Sequence, residues 1–233
     1  MNNTSFSGMG LVCCLGGSVD EVYQRMCAGE AGFRLIDRFD PEPYAQKMAG
    51  QLPPDVEEKL RQDFPDEDIA AAMIKYAGAQ ALAQAGIPAK AGQADRRLAL
   101  VLATNFGPME SLEWAWRERL DTQSLSDASF APFDDIIQDT AAALGCGGPQ
   151  AQISMSCASG AAALSVARDM LAADRADHVL VIAYDALSEF CWCGLSNLRT
   201  ITTDVMRPFD KRRSGTIFSE GAAAVVLTTK TDA

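Results

Sequence analysis

The thiol of Cys157 is the side chain in this sequence best placed for covalent chemistry. Residues 153–160, Ile-Ser-Met-Ser-Cys-Ala-Ser-Gly, have the pattern of a strand end, a tight turn and a helix start, with the cysteine in the turn. A helix N-terminus favours the thiolate, the nucleophilic form of cysteine. The backbone N–H of Cys157 can also face the oxyanion formed when a thioester is attacked. The pattern predicts an acyl-accepting nucleophile; the competing interpretation is a cysteine buried as a small apolar side chain.

The segments around Cys157 predict an α/β fold. Apolar runs at residues 98–102, 178–184 and 222–228 suit buried strands, and a short strand at 151–154 leads into the cysteine. Five prolines between residues 31 and 65 predict an irregular stretch there. Because strands alternate with helices, the sheet is expected to be mainly parallel. Helices are predicted from Ser18 to Gly29 and over residues 66–85, 109–120, 132–144 and 158–173.

The predicted helix after Cys157 is apolar on nearly every side. Its only polar side chains are Ser159, Ser165, Arg168 and Asp169. A helix of this kind is normally covered by protein on several sides, and the rest of this chain does not obviously supply that cover. We therefore expect the isolated chain to self-associate through exposed apolar surface.

Short motifs are spread along nearly the whole chain. They are GMG at 8–10, GEAG at 29–32, IDRFD at 36–40, GP at 148–149, SCASG at 156–160, RPFDK at 207–211 and SEGA at 219–222. In this order and spacing the sequence resembles the β-ketoacyl synthases, the condensing enzymes of fatty-acid and polyketide synthesis. Each motif is weak alone, but the ordered set strengthens the prediction that Cys157 is a nucleophile.

The resemblance implies a thiolase-like fold, in which two similar halves stack as alternating helix and sheet layers. Residues 1–233 would form the N-terminal half, and the C-terminal half would be absent from this chain. In the family the cysteine accepts an acyl group from an acyl carrier protein; a malonyl extender then loses carbon dioxide, and the resulting carbanion attacks the acyl-cysteine. Two histidines of the C-terminal half support that second step. The single histidine here, His178, opens a predicted strand, and a structural role is expected for it.

The resemblance also assigns residues to the surroundings of the nucleophile. Asn105 and Phe106 follow a buried strand at the position where the family lines its acyl pocket, although Phe106 could equally be core. Asp210, Lys211 and Glu220 are expected to support the site through structural contacts. The triplet Lys-Arg-Arg at 211–213 could contact a phosphate of the carrier arm or coenzyme A, but a solvated loop is the more common explanation of such a triplet.

Composition limits the partners and the location. The chain has 233 residues, 48% of them hydrophobic, and a net charge of -11. Nucleic acids and anionic membranes bind clustered Lys and Arg, so this charge argues against both as partners. No apolar run approaches the roughly 20 residues of a membrane span, and the N-terminus lacks a signal-peptide pattern. The seven cysteines are expected to be reduced thiols in the cytoplasm, and no cofactor is predicted.

The resemblance further implies an acyl carrier protein or acyl-CoA as acyl donor, a homodimer, and a C-terminal half encoded in the same gene or as a separate chain. In the family the dimer forms through the strand before the cysteine, here residues 151–154. The family often docks its acidic carrier protein on basic residues before the second helix, but the segment 55–68 has seven acidic side chains. Docking at this segment would be repulsive, so other basic sites are expected to hold the carrier.

Other cysteine and glycine patterns carry weaker predictions. Cys191 and Cys193 are separated by one residue, which is too few for the usual zinc pairs, so packing rather than a metal site is predicted. Cys13 and Cys14 are predicted to be core rather than redox-active. The glycines of residues 8–10 resemble the start of a dinucleotide fingerprint, but the third glycine is missing.

Three functions are compatible with these patterns. The first is the acyl-accepting half of a β-ketoacyl synthase, and the second is a degenerate, non-catalytic synthase kept for dimerisation or carrier-protein binding. The presence of Cys157 favours the first, because a decayed site would tolerate its loss. A small thiol hydrolase is the third, but it lacks a base, because His178 is expected at the wrong end of its strand.

Overall fold

The computed structural model describes residues 4–89, 91–122 and 133–229, with a five-stranded sheet at the centre. The strands of this sheet are β1 (Ser5–Cys13), β4 (Leu98–Ala103), β5 (Gln150–Ile153), β6 (His178–Asp185) and β7 (Gly221–Thr228). A separate pair consists of β2 (Arg34–Leu35) and β3 (Met48–Ala49). The helices are α1 (Val19–Cys27), α2 (Pro54–Asp63), α3 (Ile69–Gln84), α4 (Met109–Thr122), α5 (Phe133–Leu144), α6 (Ser159–Ala172) and α7 (Glu189–Asn197).

The sheet has the strand order β1-β7-β6-β4-β5. Strand β4 pairs in parallel with β5 and β6, whereas β7 pairs antiparallel with β6 and β1. Four of the five strands therefore run in one direction and only β7 runs in the other. The predicted α/β class with a mainly parallel sheet is confirmed, as are the predicted strands at 98–102, 151–154, 178–184 and 222–228.

Helices cover both faces of the sheet. Helices α3 and α5 pack on one face, and α6 packs on the other. The first glycine motif explains how α3 comes so close to β1: a Cβ at Gly8 would lie 2.1 Å from the carbonyl oxygen of Ala81, and one at Gly10 would lie 2.0 Å from that of Ala77. The motif thus lies inside strand β1, which ends in a turn at residues 13–16.

The expected irregular stretch at residues 31–65 contains a ten-residue helix, α2, so that prediction was wrong for residues 54–63. Pro54 occupies the first turn of this helix, where a missing N–H costs no hydrogen bond and the fixed φ suits the helix. Pro65 comes just after its end. These prolines therefore bound a helix instead of preventing one.

The remaining helices follow the sequence signals with two differences. Ser18 caps α1 by accepting the N–H of Glu21 at 3.3 Å, but Met26 is 61% exposed, although its spacing of four residues from the buried Val22 predicts that the two share one face. Helix α5 begins at Phe133, and the predicted start at Pro132 lies outside the described residues. Helix α7 was not predicted; Ser188 caps it by accepting the N–H of Cys191 at 3.3 Å.

The described residues cover only one face of helix α6. Ala163 and Ala167 are fully buried against the sheet, whereas Ala161 and Ala172 are exposed and Leu164 is half-buried. This open outer face agrees with the apolar pattern of the sequence, and the self-association expected from it stays a prediction. Neither α6 nor any other helix within the described ranges is long and apolar enough to cross a bilayer.

Candidate active site

Cys157 lies in a sharp turn between β5 and α6. Ser156 has φ = 50°, in the left-handed region that non-glycine residues adopt uncommonly. The N–H of Ala158 donates to the carbonyl of Met155 at 3.1 Å, and the N–H of Ser159 donates to that of Ser156 at 3.1 Å. The reversal exposes the Cys157 side chain at the N-terminal end of α6. This is the strand, turn and helix start that the sequence predicted.

The buried hydroxyl of Ser159 fixes this turn. It accepts the N–H of Met155 at 2.8 Å and donates to the carbonyl of Ser156 at 2.7 Å; the carbonyl of Thr104 is a second acceptor at 3.1 Å. Because Thr104 follows β4, the hydroxyl ties the turn to the neighbouring strand. In the sequence Ser159 stood out only as one of the few polar side chains of the helix, whereas in the structure its hydroxyl holds the turn of Cys157.

The carboxyl ends of the parallel strands meet at one edge of the sheet. The register pairs Ala103 of β4 with Ile153 of β5 and with Ala183 of β6. The start of β7 reaches the same edge, because Gly221 pairs with Asp185 and with Cys13. This edge, where ligands bind in open α/β sheets, therefore gathers segments that are far apart in the sequence.

The carboxylate of Asp185 organises the loop that carries Asn105 and Phe106. Its Oδ1 accepts the hydroxyl of Thr104 at 2.7 Å, the N–H of Asn105 at 3.0 Å and the N–H of Phe106 at 2.9 Å. Hydrogen bonds to an ionised acceptor are roughly twice as strong as neutral ones. Asp185 therefore holds the loop next to the turn of Cys157. Asp185 was not predicted as a site residue, although its position directly after the apolar run 178–184 is a signal for one.

Asn in place of Asp185 is expected to loosen this loop. The amide removes the negative charge that three donors share, so the free energy of unfolding should fall by about 1–3 kcal/mol. Hydrogen exchange at the amides of Asn105 and Phe106 should become faster. Asp174→Asn, which alters an exposed partner of Arg97, is the matched control and should leave exchange at those amides unchanged. Unchanged exchange in Asp185→Asn would show that the loop does not depend on this carboxylate.

A cavity of about 500 Å³ opens at this edge of the sheet. Cys157, Asn105, Phe106 and Glu220 line it, so four of the six predicted site residues come together. Much of the remaining wall consists of small side chains, including Gly160, Ala183, Ala222 and Ala223. The volume lies within the range of small-molecule pockets, and the small side chains leave room for a slender apolar ligand.

Glu220 is buried at the cavity wall and pairs with Arg38. One guanidinium nitrogen of Arg38 lies 2.9 Å from Oε1, and the other contacts Oε2. The same carboxylate accepts the N–H groups of Leu52 at 2.9 Å and Leu187 at 3.0 Å. Burial alone would lower the pKa of Arg38, but the carboxylates of Glu220 and Glu57 outweigh it and raise that pKa. Glu220 thus connects the chain segments of Arg38, Leu52 and Leu187, and the guanidinium of Arg38 stays charged although it is buried.

Asp210 and Lys211 lie on an exposed loop away from the cavity wall. The carboxylate of Asp210 accepts the N–H of Arg212 at 2.7 Å, so its contacts are made within its own loop. Phe209, between the Arg-Pro start of the motif and Asp210, is fully exposed with φ = 62°. The described structure therefore does not bring Asp210 or Lys211 to Cys157.

The cysteines of α7 occupy two different environments. Cys191 is buried at the cavity, where burial raises its pKa to about 12, while Cys193 is exposed. Trp192 between them is fully buried and packs on Phe39, with ring centroids 6.4 Å apart.

Within residues 4–89, 91–122 and 133–229, no group of three or more His, Cys, Asp or Glu side chains is arranged to hold a metal ion.

His178 lies at the opposite end of β6 from the cavity. It is the first residue of the strand, and Asp185, at the cavity edge, is the last. At about 3.3 Å per residue, the seven steps between them span about 23 Å. His178 therefore cannot act as a base for Cys157, as the strand position predicted, and the thiol hydrolase has no histidine to use within this chain.

The acidic segment 55–68 comprises most of α2 and the connection to α3, and it ends at the N-cap of α3. Lys59, Arg61 and Lys75 pair with Asp63, Glu57 and Glu67 at 2.5, 3.4 and 2.7 Å respectively. Asp68 is buried and caps α3 by accepting the N–H of Ala70 at 2.8 Å. The repulsion of an acidic partner is therefore weaker than the seven acidic side chains of the segment suggest. The described residues of this surface nevertheless form no basic cluster that could bind such a partner.

Residues 5–233 match the family "Beta-ketoacyl synthase, N-terminal domain". The chain belongs to the β-ketoacyl synthase family. Curated relatives include the chloroplastic 3-oxoacyl-[acyl-carrier-protein] synthase I of Arabidopsis thaliana, 29% identical over 237 residues that cover 95% of this chain and 50% of that protein. Another is 3-oxoacyl-[acyl-carrier-protein] synthase 2 of Staphylococcus aureus, 26% identical over 239 residues that cover 95% of this chain and 58% of the relative. The chain thus spans about half the length of these β-ketoacyl synthases.

Solved structures of ketosynthases share the fold. The ishigamide ketosynthase/chain length factor has a TM-score of 0.87 at 23% identity, over 97% of this chain and 58% of that one. A β-ketoacyl synthase from Burkholderia phymatum STM815 has a TM-score of 0.82 at 24% identity, over 98% of this chain and 59% of that one. These matches confirm the predicted thiolase-like fold.

Proposed function

We propose that this chain is the acyl-accepting half of a β-ketoacyl-[acyl carrier protein] synthase and that Cys157 is its nucleophile. The observation that carries the proposal is the exposed thiol in a strained turn, at a helix N-terminus and in the wall of a cavity of about 500 Å³. A thiol so placed is open to an incoming thioester, and the adjoining cavity can hold the acyl chain. The family adds decarboxylative condensation as the use of the acyl-cysteine.

In the proposed step, the thiolate of Cys157 attacks the carbonyl carbon of an acyl thioester. A carbon–sulfur bond forms to Cys157, the bond to the donor sulfur breaks, and the donor leaves as a thiolate that takes up a proton. The Cys157 N–H stabilises the oxyanion of the intermediate. Ser159 and Asp185 act by positioning, because they hold the turn and the adjoining loop without reaching the carbonyl.

The proposed donor is an acyl carrier protein or acyl-CoA. Among the structural neighbours, one complex contains a type II polyketide acyl carrier protein with its ketosynthase, and another contains a ketosynthase with its chain length factor. These neighbours support a carrier protein and a partner chain for this protein as well. A homodimer through β5 and a cytoplasmic location complete the proposal.

The second candidate is a degenerate synthase that serves dimerisation or carrier-protein binding. It is supported by neighbours solved together with a chain length factor. The well-ordered turn around Cys157 argues against this candidate. Ser156 adopts a costly φ of 50°, and the hydroxyl of Ser159 holds the turn through three hydrogen bonds. Acylation of Cys157 distinguishes the two candidates.

Incubation of the protein with a medium-chain acyl thioester is expected to acylate Cys157 at least tenfold more than any other cysteine, because its thiol is exposed beside the cavity. Peptide mass spectrometry locates and quantifies the adducts. Cys157→Ala should lose the adduct, whereas the control Cys27→Ala, which removes an exposed thiol outside the cavity wall, should keep it. Acylation of Cys191 or Cys13 with none at Cys157 would overturn the assignment.

A further inference from the structure

Helix α7 forms one wall of the cavity, and the loop that leads into α4 forms another. Cys191 and Leu195, one turn apart on α7, line the cavity, as do Asn105 and Phe106 of the loop. Both walls belong to elements whose far ends lie outside the cavity. The position of α7 relative to α4 therefore helps to set how wide a ligand beside Cys157 can be.

Helix α4 is fixed firmly at its start. The buried carboxylate of Glu110 accepts the N–H of Ile69 at 2.8 Å and pairs with Arg61 at 2.5 Å. The N–H and the hydroxyl of Ser111 donate to the buried carboxylate of Asp68 at 2.8 and 2.7 Å. Because hydrogen bonds to ionised groups are strong, these contacts tie the first turn of α4 to α2 and α3.

Glu113, one turn further along α4, reaches the N-terminal end of α7. Its Oε1 accepts the N–H of Phe190 at 2.6 Å, while the hydroxyl of Ser188 accepts that of Cys191 at 3.3 Å. The first N–H groups of a helix have no partner inside the helix, and a carboxylate placed there also interacts favourably with the helix dipole. The first turn of α7 is thus capped partly by its own Ser188 and partly by a side chain from α4.

The other contacts of α7 leave this role to Glu113. Arg117 of α4 pairs with Glu189 at 2.7 Å, but both side chains are exposed enough for water to replace the partner. Trp192 is fully buried and packs on Phe39, so it anchors the helix beyond its first turn. Loss of the Glu113 contact is therefore expected to loosen the first turn of α7 without releasing the helix.

We propose that Glu113 is a positioning residue that determines specificity: by tying the first turn of α7 to α4, it keeps the cavity narrow, so that unbranched acyl chains are preferred over branched ones. The inference rests on the proposed function, because it names the class of acyl group that Cys157 accepts. In an apolar pocket, one methylene group more or less changes selectivity by about 10–200-fold, so a small displacement of one wall is sufficient for the effect.

Acylation of Cys157 by two isomeric donors, a straight-chain and a methyl-branched medium-chain acyl thioester, tests the preference. The unaltered protein should react at least about tenfold faster with the straight-chain donor. Glu113→Ala should bring the ratio of the two rates close to one, mainly by raising the rate with the branched donor. Glu113→Gln, which keeps an oxygen that can accept the N–H of Phe190, should retain most of the preference. Glu58→Ala removes an exposed carboxylate that accepts only from Gln62 among the printed contacts of α2, and this control should leave the ratio unchanged.

Alkylation of Cys191 by iodoacetamide tests the position of the wall without any acylation. The protein carries Cys157→Ala, and peptide mass spectrometry measures the rate at each cysteine. Glu113→Ala should raise the rate at Cys191 severalfold, because loosening the first turn of α7 uncovers this buried thiol. Glu113→Gln should stay close to the starting rate. Cys146, which is buried in the core beside α3 and α5, reports general unfolding and should keep its rate.

The two measurements separate this inference from the proposed function. If neither donor acylates Cys157, the proposed function fails together with the acyl class assigned here, and the rate at Cys191 still decides whether Glu113 holds the wall. An unchanged rate at Cys191 in Glu113→Ala, or equal increases at Cys191 and Cys146, would overturn the role of Glu113. A raised rate at Cys191 with an unchanged preference between the two donors would overturn its role in specificity.

Discussion

Glutamine in place of Glu220 is expected to lower the free energy of unfolding by about 3–5 kcal/mol, because it leaves the guanidinium of Arg38 buried without its main counter-charge. The Glu220 side chain is fully buried and that of Arg38 is 12% exposed, so water cannot replace the lost partner. The N–H groups of Leu52 and Leu187 also lose a charged acceptor. For a chain of this size, the midpoint of thermal unfolding should fall by about 6–20 °C.

Thermal and urea unfolding followed by circular dichroism measure this effect. The double variant Arg38→Met/Glu220→Gln should recover part of the stability, because it removes the buried guanidinium together with its main counter-charge. Asp204→Asn breaks the exposed pair of Arg207 and Asp204, and this control should leave the transition where it is. A Glu220→Gln transition that matches the unaltered protein would mean that this pair does not hold the three segments together.

The purified 233-residue chain is expected to form no β-ketoacyl product from acyl and malonyl thioesters, even though Cys157 is acylated. Loss of carbon dioxide leaves a carbanion whose charge must be stabilised where it forms, and one such donor is typically worth about 10²–10³ in rate. The resemblance places two histidines of a C-terminal half in that role. The single histidine here is His178, about 23 Å along β6 from the cavity edge.

Product analysis by mass spectrometry, with acyl-Cys157 measured in the same samples, checks this prediction. His178→Gln should leave the level of acyl-Cys157 unchanged, because the residue lies at the far end of the strand. A longer polypeptide with an added C-terminal half from a related synthase is the positive control for condensation. Condensation by the 233-residue chain itself would show that His178 or another group of this chain supplies the missing stabilisation.

Local patterns were sufficient for most helices and strands and for the turn that carries Cys157. The all-apolar run of β4 and the strand, turn and small-residue helix start around Cys157 are features of neighbouring residues, so periodicity and composition identified them. The same approach failed at α2, because Pro53 and Pro54 suggested a break where they begin a helix. It also missed α7, although Ser188 caps that helix in the same way as Ser18 caps the equally short α1.

Contacts between residues far apart in the sequence could not be predicted from local patterns. Arg38 and Glu220 are 182 residues apart, and Thr104 and Asp185 are 81 apart. Nothing in either neighbourhood specifies the partner, because these pairings arise from strand order and register. Asp210 illustrates the converse: its motif suggested a place near the site, but the loop satisfies the carboxylate locally and holds it outside the cavity wall.

The sequence by itself determined the α/β class and the family, and it singled out Cys157 as the proposed nucleophile, since these inferences depend on local periodicity and on motifs in a fixed order. The tertiary structure decided which residues share the cavity with Cys157, which carboxylates position its surroundings and how α7 is held at the cavity. The physical reason is that hydrogen bonds and ion pairs act over a few ångströms in space. Only the assembled sheet brings the ends of β1, β4, β5 and β6 and the start of β7 to one edge.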